Sequence, residues 1–395
     1  MTRRYLVTGG AGFIGANFVK YLLRTHPGEV SVLVLDSLTY AGNLATIAPE
    51  VESGEVSFVR GDICDGPLVG RLLEEFDPHY IVNFAAESHV DRSITGPGVF
   101  MQTNILGAQT LLDAARAVWA LPGGGMRPDR RFLQISTDEV YGALAKDIPA
   151  GRSLEVSPEL HALTDGRLAP VTYGSEMFTE HTPLCPHSPY SASKASADMI
   201  ARAYHDTYGL PVLVTRCSNN YGPYQFPEKL IPLIINNILH GRRLPVYGDG
   251  SNVRDWLYVD DHAAAIDAVL RRGEPGRVYN VGGFNEQTNI DIVRLIISIM
   301  RRIMETEPQY RSLMHVPVDT ISDGLIEYVT DRPGHDLRYA IDPSRISSEL
   351  GWAPLTPFAE GIEKTVRWYL DNHSWVADVL SGDYMKYYQS MYSQR

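Results

Sequence analysis

The run Thr8-Gly9-Gly10-Ala11-Gly12-Phe13-Ile14-Gly15 closes the first apolar stretch of the chain and opens the first segment with helical periodicity. Glycines at positions 9, 12 and 15 let a strand-to-helix turn tighten. They also let a pyrophosphate approach the backbone N–H groups at a helix N-terminus. Working outward, residues 4–8, 30–35, 56–60, 80–84, 131–135 and 211–215 read as short buried strands, and amphipathic segments at 14–24, 68–75 and 99–118 lie between them. Strands that alternate with helices imply right-handed crossovers and a parallel sheet covered on both faces. The expected fold class is α/β: a Rossmann-like, doubly wound parallel sheet with a smaller mixed α/β substrate-binding domain.

Asp36 ends the second strand of this pattern, 21 residues beyond Gly15. A carboxylate there accepts hydrogen bonds from adenosine ribose hydroxyls and repels a 2′-phosphate, which favours NAD over NADP. Asp62, in Gly61-Asp62-Ile63 after the third strand, reads either as an acceptor for the adenine amino group or as a turn acid. Ala85-Ala86-Glu87-Ser88, after the fourth strand, sets small side chains beside polar ones where a cofactor passes.

Two further motifs carry chemistry. Ser188-Pro189-Tyr190-Ser191-Ala192-Ser193-Lys194 has a capping serine and a proline suited to the first helical position. Tyr190 and Lys194 then share one helix face, and no other lysine in the chain follows a tyrosine by four residues. A nearby ammonium favours tyrosinate, so Lys194 is expected to lower the Tyr190 pKa toward working pH and to reach the nicotinamide ribose. Thr137-Asp138-Glu139 follows the fifth strand at its carboxyl end, the edge where open α/β sheets bind ligands. Adjacent acids in an extended loop point to different faces, and unlike surroundings keep one protonated and the other ionised. Alcohol oxidation followed by elimination of water is the chemistry these two motifs suggest together.

Composition sets the limits. The chain has 395 residues, 44% apolar and 21% charged, with a net charge of −12 that argues against nucleic acid as a partner. No apolar run approaches the roughly 18–20 residues of a membrane span. The N-terminus runs straight into a strand without a signal-peptide pattern, so a cytoplasmic location is expected. Three cysteines lack metal-ligand spacing, so neither a metal nor a disulfide framework is expected. Residues 1–217 read as the cofactor domain. Residues 257–275 return to it, because Ala263-Ala264-Ala265 suits close packing, and 218–395 mainly bind substrate. Residues 143–187, rich in Pro and Gly and without periodicity, read as a long inserted loop, either a lid or a disordered insertion.

With these motifs in place, the chain resembles the extended short-chain dehydrogenase/reductase superfamily, and within it the dTDP-glucose 4,6-dehydratase family. The likeness rests on residues 8–15, 136–142 and 188–194, on Leu38-Thr39-Tyr40-Ala41-Gly42-Asn43, and on Ala85-Ala86-Glu87-Ser88-His89-Val90-Asp91-Arg92-Ser93. It continues through Ser218-Asn219-Asn220-Tyr221-Gly222-Pro223-Tyr224, Pro227-Glu228-Lys229-Leu230-Ile231-Pro232, Arg254-Asp255-Trp256-Leu257-Tyr258-Val259 and Asp331-Arg332-Pro333-Gly334-His335-Asp336. Nearly the whole chain is spanned. Residues 143–187 depart from the family by their length, and residues 301–328 align poorly with it.

The resemblance implies NAD held by Gly9, Gly12, Phe13, Ile14, Gly15, Asp36, Leu38, Thr39, Gly42, Asp62, Ile63, Ala85, Ala86, Ser88, Thr103, Tyr190, Lys194 and Asn219. It implies a nucleotide sugar, dTDP-glucose, held by Ser88, Thr137, Asn219, Glu228, Lys229, Leu230, Pro245, Tyr247, Arg254, Asn289, Arg332 and His335. Lys229, Arg254 and Arg332 would offset the diphosphate charge. Tyr190, assisted by Lys194, would take the proton of the sugar 4-hydroxyl while hydride leaves C4, and Thr137 would position that hydroxyl. Glu139 would then remove the C5 proton and Asp138 would protonate the departing 6-hydroxyl. A homodimer through a four-helix bundle built from 99–118 and 190–208 is implied as well. The acid pair sets this group apart from the related 4-epimerases. A UDP- or CDP-linked sugar, or a 4-epimerase, is the alternative.

Overall fold

Seven strands make the central sheet of the computed structural model, which describes residues 2–331 and 334–380. Five of them come first in the chain: β1 (Arg3–Thr8), β2 (Val30–Asp36), β3 (Val56–Arg60), β4 (Tyr80–Asn83) and β5 (Arg131–Thr137). Strands Val212–Cys217 and Val278–Val281 complete the sheet. The spatial order is Val278–Val281, Val212–Cys217, β5, β4, β1, β2, β3, and every neighbouring pair is parallel. The chain leaves the sheet centre toward β2 and β3, then returns past β1 to β4 and β5. That reversal opens a crevice at the carboxyl ends of β1 and β4.

Both faces are covered because the strands are apolar on both sides. On one face, α1 (Phe13–Thr25) packs with helix Val259–Arg272 through buried Ala16, Val19, Leu22, Ala263, Ile266 and Val269. On the other, helices Gly66–Phe76, Ala108–Trp119 and Pro189–Tyr208 bury Leu73, Leu112, Trp119 and Ala201. A second core forms around helices Leu230–Leu239, Asn289–Thr306 and Phe358–Asp371, with Ile234, Ile296, Met300 and Ile362 at its centre.

Three features differ from the sequence expectation. Strands 131–135 and 211–215 run two residues further, so β5 ends at Thr137 itself. The 99–118 segment is not one α-helix, because Met101–Gly107 is wound as a π-helix between Pro97–Phe100 and Ala108–Trp119. Such stretches recur at functional sites, where the wider turn re-aims side chains. The second half of the chain returns a strand, Val278–Val281, as well as a helix, so its contribution to the first layer extends past residue 275. The part of the 218–395 segment beyond residue 380 lies outside the described residues.

The 143–187 segment is neither a bare loop nor a disordered insertion. It carries helix Pro158–Leu163 and a two-stranded pairing of Arg152–Ser153 with Val171–Thr172. Its anchor lies far away in sequence. Arg338, with no exposed side-chain surface, pairs with Glu286 at 2.8 Å and donates to Thr172 Oγ1 at 3.0 Å and to the Glu176 carbonyl at 2.8 Å. Among the described residues, no helix is long and apolar enough to cross a membrane.

Removing one partner of a buried ion pair leaves the other charge uncompensated, at a cost of about 3–5 kcal/mol. Arg338→Met is therefore expected to destabilise the protein by that order in urea unfolding and to speed proteolysis within 143–187. Stability within about 1 kcal/mol of wild type would show that the pair does not anchor the segment.

Candidate active site

The glycine turn is built for close approach. Gly9 has a φ of +67°, and a Cβ there would meet the Ala85 nitrogen at 2.7 Å. A Cβ on Gly15 would lie 2.3 Å from the Gly9 carbonyl oxygen. Gly12 caps α1 without a side-chain hydrogen bond, and the first turn holds no acidic residue. The helix N–H groups thus face the crevice with no competing carboxylate, as an anion requires. Asp36 is buried and held in place: Oδ2 accepts from the Ala11 N–H at 2.9 Å and Oδ1 from the Leu38 N–H at 2.8 Å. Burial pushes its carboxyl above the ordinary value.

A cavity of about 400 Å³ occupies the crevice. Of the residues expected to hold a cofactor, Gly9, Gly12, Phe13, Ile14, Gly15, Asp36, Thr39, Gly42, Asp62, Ile63, Ala85, Ala86, Ser88, Thr103, Tyr190, Lys194 and Asn219 line it. Leu38 does not; it holds Asp36 through its backbone at a φ of +53°. Asp62 lines the cavity, and its Oδ1 accepts from the Cys64 N–H at 2.9 Å as a turn acid does. Thr137, Asp138, Glu139, Glu228 and Lys229 line the same cavity, with the Lys229 Nζ 3.5 Å from the Ser88 carbonyl oxygen.

The remaining substrate candidates among the described residues lie outside the lining of this cavity. Arg254 stacks over the Tyr339 ring at 4.2 Å and donates to the Asp336 carbonyl at 3.0 Å. The same carbonyl accepts from Asn252, whose own carbonyl accepts from the Asn289 N–H at 3.0 Å. His335, paired with Asp331 at 2.6 Å, lies edge-on to Tyr247 at 6.1 Å. Tyr247 reaches Asp91 at 3.4 Å. Leu230 packs against the second core, and Pro245 sits in strand Leu244–Tyr247 opposite Glu327. Arg332 lies outside the described residues. Arg254 thus meets Asp336 directly and Asn289 meets it through Asn252, while His335 precedes it in the chain, and none of the three is in the cavity lining.

The acid pair sits in a 3₁₀ turn, Asp138–Tyr141, not in an extended loop. The turn begins because Thr137 caps it, its Oγ1 accepting from the Glu139 N–H at 3.3 Å and donating to Asp138 Oδ1 at 3.0 Å. Asp138 is 1% exposed, and its Oδ2 has no hydrogen-bond partner. Burial, and after it the Glu139 charge, pushes the Asp138 carboxyl well above the ordinary range. Burial and then the Glu139 charge also push up the Tyr339 phenol, which sets Glu139 between the cavity and the Arg254–Tyr339 group.

Lys194 does not activate Tyr190 in the way the helix spacing suggests. Burial, and after it the Glu139 charge, raises the Tyr190 phenol well above its usual value. The Lys194 ammonium is turned to the Ile135 carbonyl at 2.5 Å. It therefore ties the helix to β5 two residues before Thr137. The attachment is reinforced by Asp198, buried beneath, which accepts from Ser136 Oγ and from Arg216 Nε, each at 2.9 Å. Arg216 also donates to the Tyr141 hydroxyl at 3.0 Å, and that hydroxyl donates to Asn280 Oδ1 at 2.7 Å.

Asn104, Tyr339 and Asp198 went unnoticed in the sequence. Asn104, in the π-helical stretch, bonds both the N–H and the C=O of Glu87 and donates to Ser193 at 2.8 Å. A polar residue inside an apolar helix face was the only available signal.

The chain matches the NAD dependent epimerase/dehydratase family over residues 5–282. It is 50% identical over 380 residues to a dTDP-glucose 4,6-dehydratase of Xanthomonas campestris pv. campestris, covering 96% of this chain and 97% of that protein. It is 47% identical over 392 residues to the dTDP-glucose 4,6-dehydratase of Salmonella typhimurium, covering 99% of each. Among solved structures, the Streptomyces venezuelae dTDP-glucose 4,6-dehydratase, crystallised with NAD bound, superposes with a TM-score of 0.77 at 44% identity. That match covers 95% of this chain and 99% of the other.

Because the folded protein holds the Asp138 proton more tightly than the unfolded chain does, stability falls as pH rises from the ordinary carboxylate range through the raised pKa. Asp138→Asn keeps the shape and removes that ionisation. Between about pH 5 and pH 9, urea unfolding should show wild type losing at least about 1 kcal/mol more than the variant. Equal losses would mean that Asp138 is ionised in the folded protein.

Proposed function

The chain belongs to the NAD-dependent epimerase/dehydratase family, and on that premise we propose that it is an NAD-dependent hydro-lyase converting dTDP-glucose to dTDP-4-keto-6-deoxyglucose in deoxysugar biosynthesis. The observation that carries this reading over a 4-epimerase is the buried Asp138 beside Glu139 in the cavity wall, its Oδ2 without a partner and its carboxyl pushed well above the ordinary range by burial. Inverting a carbinol centre needs no such acid; expelling a hydroxyl does.

The glycine cradle, the bare α1 N-terminus and the anchored Asp36 suit a dinucleotide. Bound NAD supplies a nicotinamide that takes hydride from sugar C4 and returns it to C6. Tyr190 is the base that receives the 4-hydroxyl proton. Thr137 orients that hydroxyl, and Lys194, with donors left after its bond to Ile135, reaches the nicotinamide ribose. Once C4 is a ketone the C5 proton is acidified, so Glu139 can remove it while Asp138 delivers its proton to the departing 6-hydroxyl. Elimination depends on the ketone, so oxidation comes first. Lys229, in the cavity lining, and Arg254, bonded to Asp336, hold the nucleotide diphosphate, and Glu228, Asn219 and Ser88 take the hydroxyls and base.

The same reading makes the protein a homodimer. Leu106 in the π-helical stretch and Met199 and Tyr208 in helix Pro189–Tyr208 are exposed at 48%, 65% and 42%. Two neighbouring helices bearing such side chains can form a four-helix bundle with a second copy. Leu106→Glu with Met199→Glu should shift the protein from dimer to monomer in sedimentation; a wild-type monomer would refute the bundle.

Incubation with dTDP-glucose in deuterated water should give loss of water and one deuterium at C5, and UDP-glucose should turn over far more slowly. Label at C4 should reappear at C6. In Glu139→Gln, turnover should fall about 10²–10⁴-fold while reduced nicotinamide builds up, since oxidation at C4 does not need that carboxylate. Inversion at C4 without loss of water would establish an epimerase.

A further inference from the structure

A second group of reactive side chains lies on the outer side of the acid turn. Cys185 is exposed, and its Sγ is 3.9 Å from His187 Nε2. His187 Nδ1 is 2.7 Å from Asp336 Oδ1. A carboxylate only accepts, so Nδ1 carries the ring proton and Nε2 presents its lone pair to the thiol. A nucleophile, a base and an acid that orients the base is the arrangement that activates cysteines elsewhere.

We propose that Cys185, set beside His187 and Asp336, is a thiol–disulfide modification site that takes a low-molecular-weight disulfide. The Cys185 proton passes to His187 Nε2, and the thiolate attacks one sulfur of the small disulfide. The S–S bond breaks, a mixed disulfide forms on Cys185, and the leaving thiolate takes the proton from the imidazolium. One disulfide is consumed and one thiol released, so electrons and protons balance.

The position couples this site to its neighbour. The Cys185 N–H donates to the Val140 carbonyl at 3.0 Å. Its own carbonyl lies where a Cβ on Gly142 would come within 2.6 Å. Cys185 therefore lies directly against the turn that carries Asp138 and Glu139. From the other side, Asp336 Oδ2 accepts from the Tyr339 hydroxyl at 2.5 Å, and its carbonyl holds Arg254. A bulky adduct on Cys185 pulls His187 from Asp336 and disturbs both walls of the acid site together. The chain carries its own comparators. Cys217 is buried, and Cys64 is half-buried, with burial and the Asp62 charge pushing its thiol up.

The test reads alkylation by iodoacetamide, followed residue by residue by peptide mass spectrometry on the full-length protein. Cys185 should react about tenfold or more faster than Cys64, and His187→Gln should remove that advantage while leaving the Cys64 rate unchanged. Oxidised glutathione should add one equivalent, at Cys185, and dithiothreitol should release it. A Cys185 rate equal to that of Cys64, or unchanged in His187→Gln, overturns the proposal, and neither measurement involves the reaction proposed above. The consequence for catalysis rests on the dehydratase reading. Glutathionylation should lower turnover of dTDP-glucose several-fold in wild type and leave Cys185→Ser unaffected. If the adduct forms and turnover persists, the modification site stands and its coupling to the acid turn fails.

Discussion

The structure depends on one buried carboxylate, Asp198, held between Ser136 and Arg216 under the floor of the cavity. From it a chain of buried hydrogen bonds runs through Arg216 to Tyr141 and Asn280, and from Asn280 to the Phe178 carbonyl and Glu180. This chain joins the Tyr190 helix, β5, the acid turn, the last two strands of the sheet and the end of the inserted segment. Removing such charges from water costs several kcal/mol per ion, and mutual attraction repays it only with good geometry and full partnering. An apolar core of equal volume would hold the same elements at least as firmly. Polar bonds contribute direction instead. A helix packed by apolar contact alone can slide or rotate slightly, and here Tyr190 must keep one position relative to Thr137, Asp138 and Glu139.

How much of this was legible in the sequence follows from the range of each signal. The glycine turn, the strand–helix alternation and the serine-capped helix before Tyr190 are local: the residues that cause them lie within a few positions, so periodicity and capping chemistry expose them. The acid pair was visible because β5 ends in Thr137, and carboxyl ends of parallel strands face ligands. The order imposed on 143–187 was not visible, since its anchor is an ion pair between Arg338 and Glu286 that meets Thr172 across more than a hundred positions. Nothing local marks Arg338 as the centre of that segment. The π-helical winding at Met101–Gly107 escaped notice for a related reason. Asn104 bonds Glu87 and Ser193, and only the fold brings these together.

Placing Lys194 on the same helix face as Tyr190 was sound geometry, but the electrostatic conclusion drawn from it did not hold. Sharing a face does not make two side chains partners when a nearer acceptor exists, and the Ile135 carbonyl is that acceptor. Desolvation then outweighs attraction. Both groups are buried, and burial raises the phenol and lowers the ammonium.

The same burial accounts for both sides of the proposed chemistry. Surroundings that push up the Asp138 carboxyl push up the Tyr190 phenol too, because the same low-dielectric environment opposes both negative charges. On the proposed roles, that shift favours Asp138 as the acid of the elimination and opposes Tyr190 as the base of the oxidation. A bound oxidised nicotinamide would bring a positive charge beside Tyr190 and offset that opposition.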